Sequence, residues 1–301
     1  MVGRFAPSPT GALHTGSLVA AAGSWLMARS AGGRWLLRMD DLDSQRQVPG
    51  MADDIMRTME SFGLFWDGKV SWQSHHSDAY LAAFEQLLEQ GFVYPCGCSR
   101  KEIALSVSAP QPDDDCLAYP GICREGVRTG AVVRSWRVRV PEGEICFNDF
   151  RRGLFCQNVA EYCGDFALRR GDGEFAYQLA VIVDDHLTGV NQVVRGDDLL
   201  SSTPRQIMLQ RLLGYPQPIY CHLPLVTGPV GAKLSKRDNL VSHSLGNWKG
   251  REGMLLMSVL RFLGLETPEE FVGTSCEEIL LWGIRNFDQK RIPATGGELK
   301  L

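Results

Sequence analysis

Val2-Gly3-Arg4-Phe5-Ala6-Pro7-Ser8-Pro9-Thr10-Gly11-Ala12-Leu13-His14-Thr15-Gly16-Ser17 is the stretch on which the fold turns. Val2 to Phe5 predicts a short strand, and Pro7, Pro9 and Gly11 then impose a tight turn. The apolar run from Ser17 to Ala28 predicts a helix, and Arg34 to Met39 the next strand. A strand, turn, helix and strand in this order opens a parallel α/β sheet. A helix beginning near Gly16 leaves backbone N–H groups unpaired where an anion can sit. His14 can donate to a phosphoryl oxygen there, and Gly16 lets a nucleotide approach closely. On their own, a histidine and a glycine in a turn are more often structural.

Downstream, Asp53 to Gly63 and Ala79 to Gln90 predict amphipathic helices, with a short strand at Phe92 to Tyr94. The character changes from Cys96 to about Arg170. A cysteine cluster, a Pro/Asp-rich loop (Pro110 to Asp115) and alternation over Val132 to Val140 predict an insertion with β-hairpins. The α/β rhythm returns at Tyr177 to Val183 and Gln192 to Arg195, then at a helix entered through Ser202-Thr203-Pro204. Ile219 to Leu225 is the last strand. After Lys236 the chain reads as helices (Met254 to Leu263, Cys276 to Trp282) and a polar tail containing Pro293, Gly296 and Gly297.

The 301 residues suffice for one large or two ordinary domains, and 44% hydrophobic with 22% charged residues suits a folded enzyme. A net charge of −4 excludes a general polycation, so nucleic-acid contact would need a local basic surface. The N-terminus lacks the features of a signal peptide, and no apolar run reaches the ~18 residues that span a bilayer. A cytoplasmic protein with no membrane partner is expected, and a monomer. The nine cysteines are then free thiols or metal ligands before they are disulfides. Cys146, Cys156, Cys163, Cys221 and Cys276 read as buried free thiols.

A second phosphate-handling signal is Lys233-Leu234-Ser235-Lys236-Arg237, preceded by Gly228, Pro229 and Gly231. Three cations on a Gly-rich loop suit a polyphosphate whose charge grows in the transition state. Alone, such a run is usually a solvated surface loop. Paired with His14-Thr15-Gly16-Ser17, it resembles the HIGH and KMSKS signatures of class I aminoacyl-tRNA synthetases. The run from Arg4 to Gly16 resembles the glutamyl branch, as do Leu37 to Asp43, Val183 to His186 and Val194 to Leu199 leading into Thr203-Pro204-Arg205-Gln206. The resemblance covers roughly residues 2 to 240.

The resemblance implies a Rossmann-type parallel-sheet catalytic domain with a zinc-binding insertion and a short helical C-terminal part. It divides the chain into residues 1–95 and 176–237 (the catalytic halves), 96–175 (the insertion) and 238–301. It implies joining an amino-acid carboxylate to the α-phosphate of ATP, with Mg²⁺ on the phosphates and no protein nucleophile. His14 and Lys236 would be catalytic, and His14, Gly16, Lys233, Ser235 and Lys236 would hold ATP. L-Glutamate would lie against Arg4, Phe5, Ala6, Pro7, Ser8, Asp40, Tyr177 and Arg195. Asp40 departs from the pattern, which usually has glutamate there, so its contact with the substrate ammonium would be shifted or carried by water. Taken singly, an arginine is more often a surface ion pair and a tyrosine core packing.

Cys96-Gly97-Cys98 follows a strand, and Cys116, Tyr119 and Cys123 stand within one later loop. Such a set can surround a tetrahedral Zn²⁺ and pin a part with little core of its own. From chemistry the fourth ligand is Cys116; the resemblance points to Tyr119, giving Cys96, Cys98, Tyr119 and Cys123. Only 64 residues follow Arg237, too few for the anticodon-reading domains of full-length relatives. The short chain resembles the branch that joins glutamate to queuosine in the anticodon loop of tRNA(Asp). Arg124, Arg128, Arg134, Arg137, Arg139, Arg151 and Arg152 would line the groove, although a basic run is usually a solvated face. A minimal synthetase charging the tRNA 3′ end and a non-catalytic binding paralogue are the competing readings.

Overall fold

The structure is a computed structural model that describes residues 1–106, 118–228 and 244–300. Cys116, Lys233, Ser235 and Lys236 lie outside the described residues. Strand β1 (Val2–Phe5) runs through the proline turn into α1 (Thr15–Ser30), and β2 (Arg34–Met39) returns parallel to it with Leu36 opposite Arg4. Proline cannot donate, but its carbonyl still accepts. Pro7 takes the Asp40 N–H at 2.9 Å and Pro9 the Val48 N–H at 3.0 Å, tying the turn to the loop after β2.

Helix α2 (Met51–Ser61), β3 (Ser71–Trp72), α3 (Ser77–Glu89), β4 (Val93–Cys96) and α4 (Arg100–Ser106) follow. Next come β5 (Ser135–Val138), β6 (Glu144–Asp149), β7 (Gly153–Asn158), α5 (Val159–Tyr162) and β8 (Ala167–Arg170). The α/β rhythm resumes with α6 (Tyr177–Leu187), β9 (Gln192–Gly196), α7 (Thr203–Leu213) and β10 (Ile219–Leu223), and α8 (Glu252–Phe262) and α9 (Cys276–Asn286) complete the chain. Ser275 and Glu278 cap α9 reciprocally, which fixes where that helix starts.

β1, β2 and β3 form one parallel set, and β9, β10 and β6 another. β1 and β9 lie side by side, joined where the Asn191 N–H donates to the Val2 carbonyl at 3.1 Å. Neighbouring residues on these strands face opposite layers, as a pleated strand requires. Leu37, Val194 and Leu223 pack with α1, α8 and α9; Leu36, Val193 and Tyr220 pack with α3, α6 and α7. Burial on both faces is what a parallel sheet demands.

The hairpin β6–β7 does not stay within the stretch predicted as an insertion. Its edge joins β10, with Asp149 opposite Tyr220, while β4, β5 and β8 make a separate antiparallel sheet. Alternation in a sequence marks which face is buried, not which strand is the partner. The same alternation corrects the reading of two cysteines. With Ile145 and Phe147 turned inward, Cys146 is exposed and faces exposed Cys156 across the hairpin, where the two form a disulfide.

Candidate active site

At the start of α1, His14 is the N-cap, and its Nδ1 accepts the Ser17 N–H at 3.2 Å. The neutral ring then carries its proton on Nε2. A Cβ on Gly16 would lie 3.0 Å from His14 Cε1 and 3.1 Å from Nδ1. A side chain there would press on the histidine ring, a second consequence of the glycine beside the close nucleotide approach read from the sequence. The described chain leaves at Gly228 and returns at Ser244, which bridges to His14, while the Leu245 N–H donates to the Leu13 carbonyl at 3.1 Å.

The ends of β1 and β2 carry a buried charge network. Arg4 reaches Asp185 through Nε at 3.1 Å and Nη2 at 3.4 Å, and Arg38 Nη1 donates to the same carboxylate at 2.7 Å. Arg38 also holds both oxygens of Asp40, at 2.6 and 3.4 Å, and lies 3.7 Å from Asp184. Asp184 accepts from Gln73 and Tyr80 at 2.7 Å each, with His76 Nδ1 at 2.7 Å. Burial alone would raise the Asp185 carboxyl, but the Arg4 and Arg38 charges overcome it and hold it below the usual carboxylate range. Asp40 goes the other way: burial lifts its carboxyl, and Arg38 offsets only part of that. Arg38, Asp184 and Asp185 lie inside stretches that carry the resemblance, but no role was read for them from the sequence. Their signal was charge inside apolar runs, Arg38 in β2 and the two aspartates at the end of α6.

Ser8, Asp40 and Tyr177 share the wall of a cavity of about 350 Å³ with Gln73 and Phe175. Phe5, Ala6 and Pro7 lead into it from β1, and Phe5 stacks on Trp35 with centroids 6.3 Å apart. Arg4 and Arg195 are not among its walls; both are buried, on the neighbouring strands β1 and β9. Arg195 donates Nε to His222 Nε2 at 3.1 Å, and Nη2 to Thr203 Oγ1 and Gln206 Oε1 at 2.8 Å each. All three acceptors are neutral. Among the described residues no carboxylate pairs with Arg195, and its buried Nη1 has no hydrogen-bond partner. A buried cation in that state is costly unless a ligand completes it.

Away from this region, Cys96, Cys98, Cys123 and Tyr119 converge. The Tyr119 hydroxyl lies 3.3 Å from Cys96 Sγ and 3.5 Å from Cys98 Sγ, and the Cys98 and Cys123 sulfurs are 3.6 Å apart. Tetrahedral Zn²⁺ with bonds of about 2.3 Å to sulfur and 2.0 Å to oxygen sets such separations at roughly 3.5–3.8 Å. Burial and the neighbouring thiols push Cys98 up to about 11, so ionisation there calls for a cation. Arg137 stacks on the Tyr119 ring at 4.1 Å. Gly164, at φ +59°, bridges to Tyr119; a Cβ there would meet the Tyr119 carbonyl oxygen at 2.2 Å. Among the described residues this small core otherwise holds Tyr94 and Ile103.

Much of the basic run is paired within the chain. Arg124 grips Asp165 through two bonds of 2.6 Å, Arg137 donates to the Asp165 carbonyl at 2.7 Å, and Arg139 to the Arg124 carbonyl at 2.6 Å. Arg151 pairs with Asp197 at 2.8 Å. Arg128, Arg134 and Arg152 are the members left exposed.

The description "tRNA synthetases class I (E and Q), catalytic domain" matches residues 1–279. The chain is 56% identical to a Glutamyl-Q tRNA(Asp) synthetase of Geobacter sulfurreducens over 97% of this chain and 94% of that protein. It is 50% identical to a Glutamyl-Q tRNA(Asp) synthetase of Dechloromonas aromatica, over 97% and 95% respectively. The crystal structure of a glutamate tRNA ligase from Elizabethkingia meningosepticum in complex with its amino acid superposes with a TM-score of 0.81 at 27% identity, covering 100% of this chain and 67% of that one. With its parallel sheet, its His14 helix start and these relatives, the chain belongs to the class I tRNA synthetases of the E and Q branch.

Proposed function

We propose that this chain activates L-glutamate with ATP, without tRNA, and then transfers glutamate to queuosine in the anticodon loop of tRNA(Asp). The observation that carries the amino acid is Arg195, a buried guanidinium with neutral neighbours and an unpartnered Nη1 among the described residues. A side-chain carboxylate completes it; a carboxamide leaves the charge unmatched. Asp40, Ser8 and Tyr177 would receive the amino-acid end in the adjoining cavity, beside the Phe5-Ala6-Pro7 backbone. Arg4 acts one step back, through Asp185 and Arg38.

In the activation step a glutamate α-carboxylate oxygen attacks the α-phosphorus and pyrophosphate leaves. His14 would donate Nε2–H to a phosphoryl oxygen, with Gly16 giving its ring room, and Lys233, Ser235 and Lys236 would supply the facing cations and hydroxyl. Bound with ATP, Mg²⁺ would supply neutralisation of phosphate charge, and no side chain of this chain is assigned to hold it. In the transfer step an acceptor hydroxyl attacks the acyl carbon, loses its proton and releases AMP. Residues 1–95 and 176–237 would supply this chemistry, 96–175 would shape the groove and 238–301 would brace α1. Support for the last comes from α8 and α9, which share the α1 core. Zn²⁺ on Cys96, Cys98, Tyr119 and Cys123 would pin the small core. About one Zn²⁺ per chain in chelator-free protein is the expected elemental analysis, and metal-free protein of full activity would remove the ion.

The acceptor is argued from the names of the relatives and is tested directly. Glutamate-dependent pyrophosphate exchange should proceed without tRNA. Labelled glutamate should appear on tRNA(Asp) that contains queuosine and be located at that nucleotide after digestion. Label on the 3′-terminal adenosine, or equal charging of queuosine-free tRNA, would establish the minimal-synthetase reading instead.

A further inference from the structure

Arg195 is oriented from behind by a pair on two other strands. Asp149, at the end of β6, places Oδ2 2.7 Å from His222 Nδ1 and 3.0 Å from the His222 N–H of β10, and both side chains are fully buried. The other oxygen, Oδ1, accepts the Arg151 and Arg152 N–H groups at 3.0 and 2.8 Å. With these donors the carboxylate stays ionised, and Asp149 is held below the usual range although burial opposes it. His222 Nδ1 therefore carries the proton and Nε2 presents a lone pair. Arginine can only donate, so the 3.1 Å contact fixes its direction, from Arg195 Nε to His222 Nε2. Burial, the largest influence, lowers the His222 pKa with help from Arg195 and against the opposing pull of Asp149, and the ring stays neutral. Across Arg195, Gln206 turns its oxygen to Nη2 because its own Nε2 donates to Gln178 Oε1 at 2.9 Å.

A carboxylate placed directly on Arg195 would hold it as firmly but would cancel its charge. A neutral imidazole, itself held by a carboxylate one step away, gives the orientation and leaves the charge. We propose that Asp149 and His222 are a positioning pair that holds Arg195 with its charge uncancelled, so that choosing the substrate carboxylate over the carboxamide depends on two residues of β6 and β10 that do not touch the substrate. The inference rests on the glutamate reading above.

The test is pyrophosphate exchange with glutamate, with glutamine and across ATP concentrations, on wild type, His222→Leu, His222→Gln and Asp149→Asn, each with a melting curve. His222→Leu should raise the glutamate KM on the order of tenfold or more and lower the preference for glutamate over glutamine in proportion, with the ATP KM within about twofold. His222→Gln, whose amide oxygen can face Arg195 Nε, should recover much of both. Asp149→Asn, which frees the ring to take its other tautomer, should shift in the same direction as His222→Leu and carries the test if the leucine variant does not fold. Equal effects on both amino acids, an ATP KM that moves with the glutamate KM, or a glutamine variant no better than leucine would overturn the pair's role. Wild type without glutamate-dependent exchange would overturn the glutamate reading itself, and the inference with it.

Discussion

Arg4 and Arg195 stand on neighbouring parallel strands, 4% and 5% exposed, and keep opposite company. Arg4 meets the Asp185 carboxylate, which Arg38 also holds, inside a network that ends on Tyr80, His76 and Gln73. Arg195 meets an imidazole, a hydroxyl and a carboxamide. Two buried arginines of equal burial thus serve different ends. A buried charge balanced within the chain holds elements together; on the glutamate reading proposed above, the one left unbalanced awaits the missing charge.

Removing the balance on one side should cost the fold most. Asp185→Asn leaves Arg4 buried without its paired carboxylate, while Arg38 keeps Asp40, and breaking a buried pair in this way costs about 3–5 kcal/mol. Denaturant unfolding is the check; a loss below about 1 kcal/mol would mean the network is not structural. Acid should act in the same sense. The Asp185 pKa is depressed in the fold, so its contribution is present above the unfolded value of about 3.9 and is lost as pH falls through the lower folded value.

Arg195→Met should separate stability from activity. Replacing an unbalanced buried cation with an apolar chain of similar length should leave stability unchanged or raise it, by up to about 1–4 kcal/mol. Glutamate-dependent pyrophosphate exchange should fall by about 10²–10³, the usual loss for one preorganised charged contact. An Arg195→Met protein that is destabilised like Asp185→Asn while keeping its exchange rate would reverse the assignment of the two arginines.

The contrast explains what the sequence could disclose. Proline and glycine punctuate Pro7 to Gly11 and apolar periodicity marks α1 and β2, so the strand–turn–helix–strand opening was legible from local chemistry. The cysteines of the small core were legible too, because Cys96, Cys98 and Cys123 lie within one short stretch; chemistry alone chose Cys116 as the fourth group and the resemblance Tyr119, and the structure brings Tyr119 to the sulfurs, while Cys116 lies outside the described residues. Partners distant in sequence were not. Asp185 meets Arg4 across 181 positions and Arg38 across 147, and nothing local announces such a pairing. An unbalanced charge is harder still, since it is defined by what does not surround it. The basic run was legible only in part for a related reason: a count of arginines says nothing of Asp165, which holds Arg124, or Asp197, which holds Arg151.

Asp40 sits between the two regimes, and the smallest expected effect lies there. It belongs to the balanced network through Arg38, yet it forms part of the cavity wall. Burial raises its carboxyl above the ordinary range, the opposite of Asp185, so it takes up a proton at higher pH than an exposed aspartate would. For the fold, a carboxyl raised in this way favours stability below its unfolded pKa and loses that contribution as pH rises through the folded value. For binding, protonation removes the negative charge offered to the substrate ammonium, so the glutamate KM should rise as pH falls through that same raised value. Asp40→Asn should flatten this acid limb, measured as glutamate KM as pH is lowered from neutrality, because no titrating group is left at the position. Asp40→Glu restores the acid usual in the family and lengthens its reach by one methylene. Arg38 keeps Asp185 as a partner, so the change in KM should stay within about threefold, or ~0.6 kcal/mol. An acid limb that persists unchanged in Asp40→Asn would move the ammonium contact to another group and leave Asp40 wholly within the balanced network.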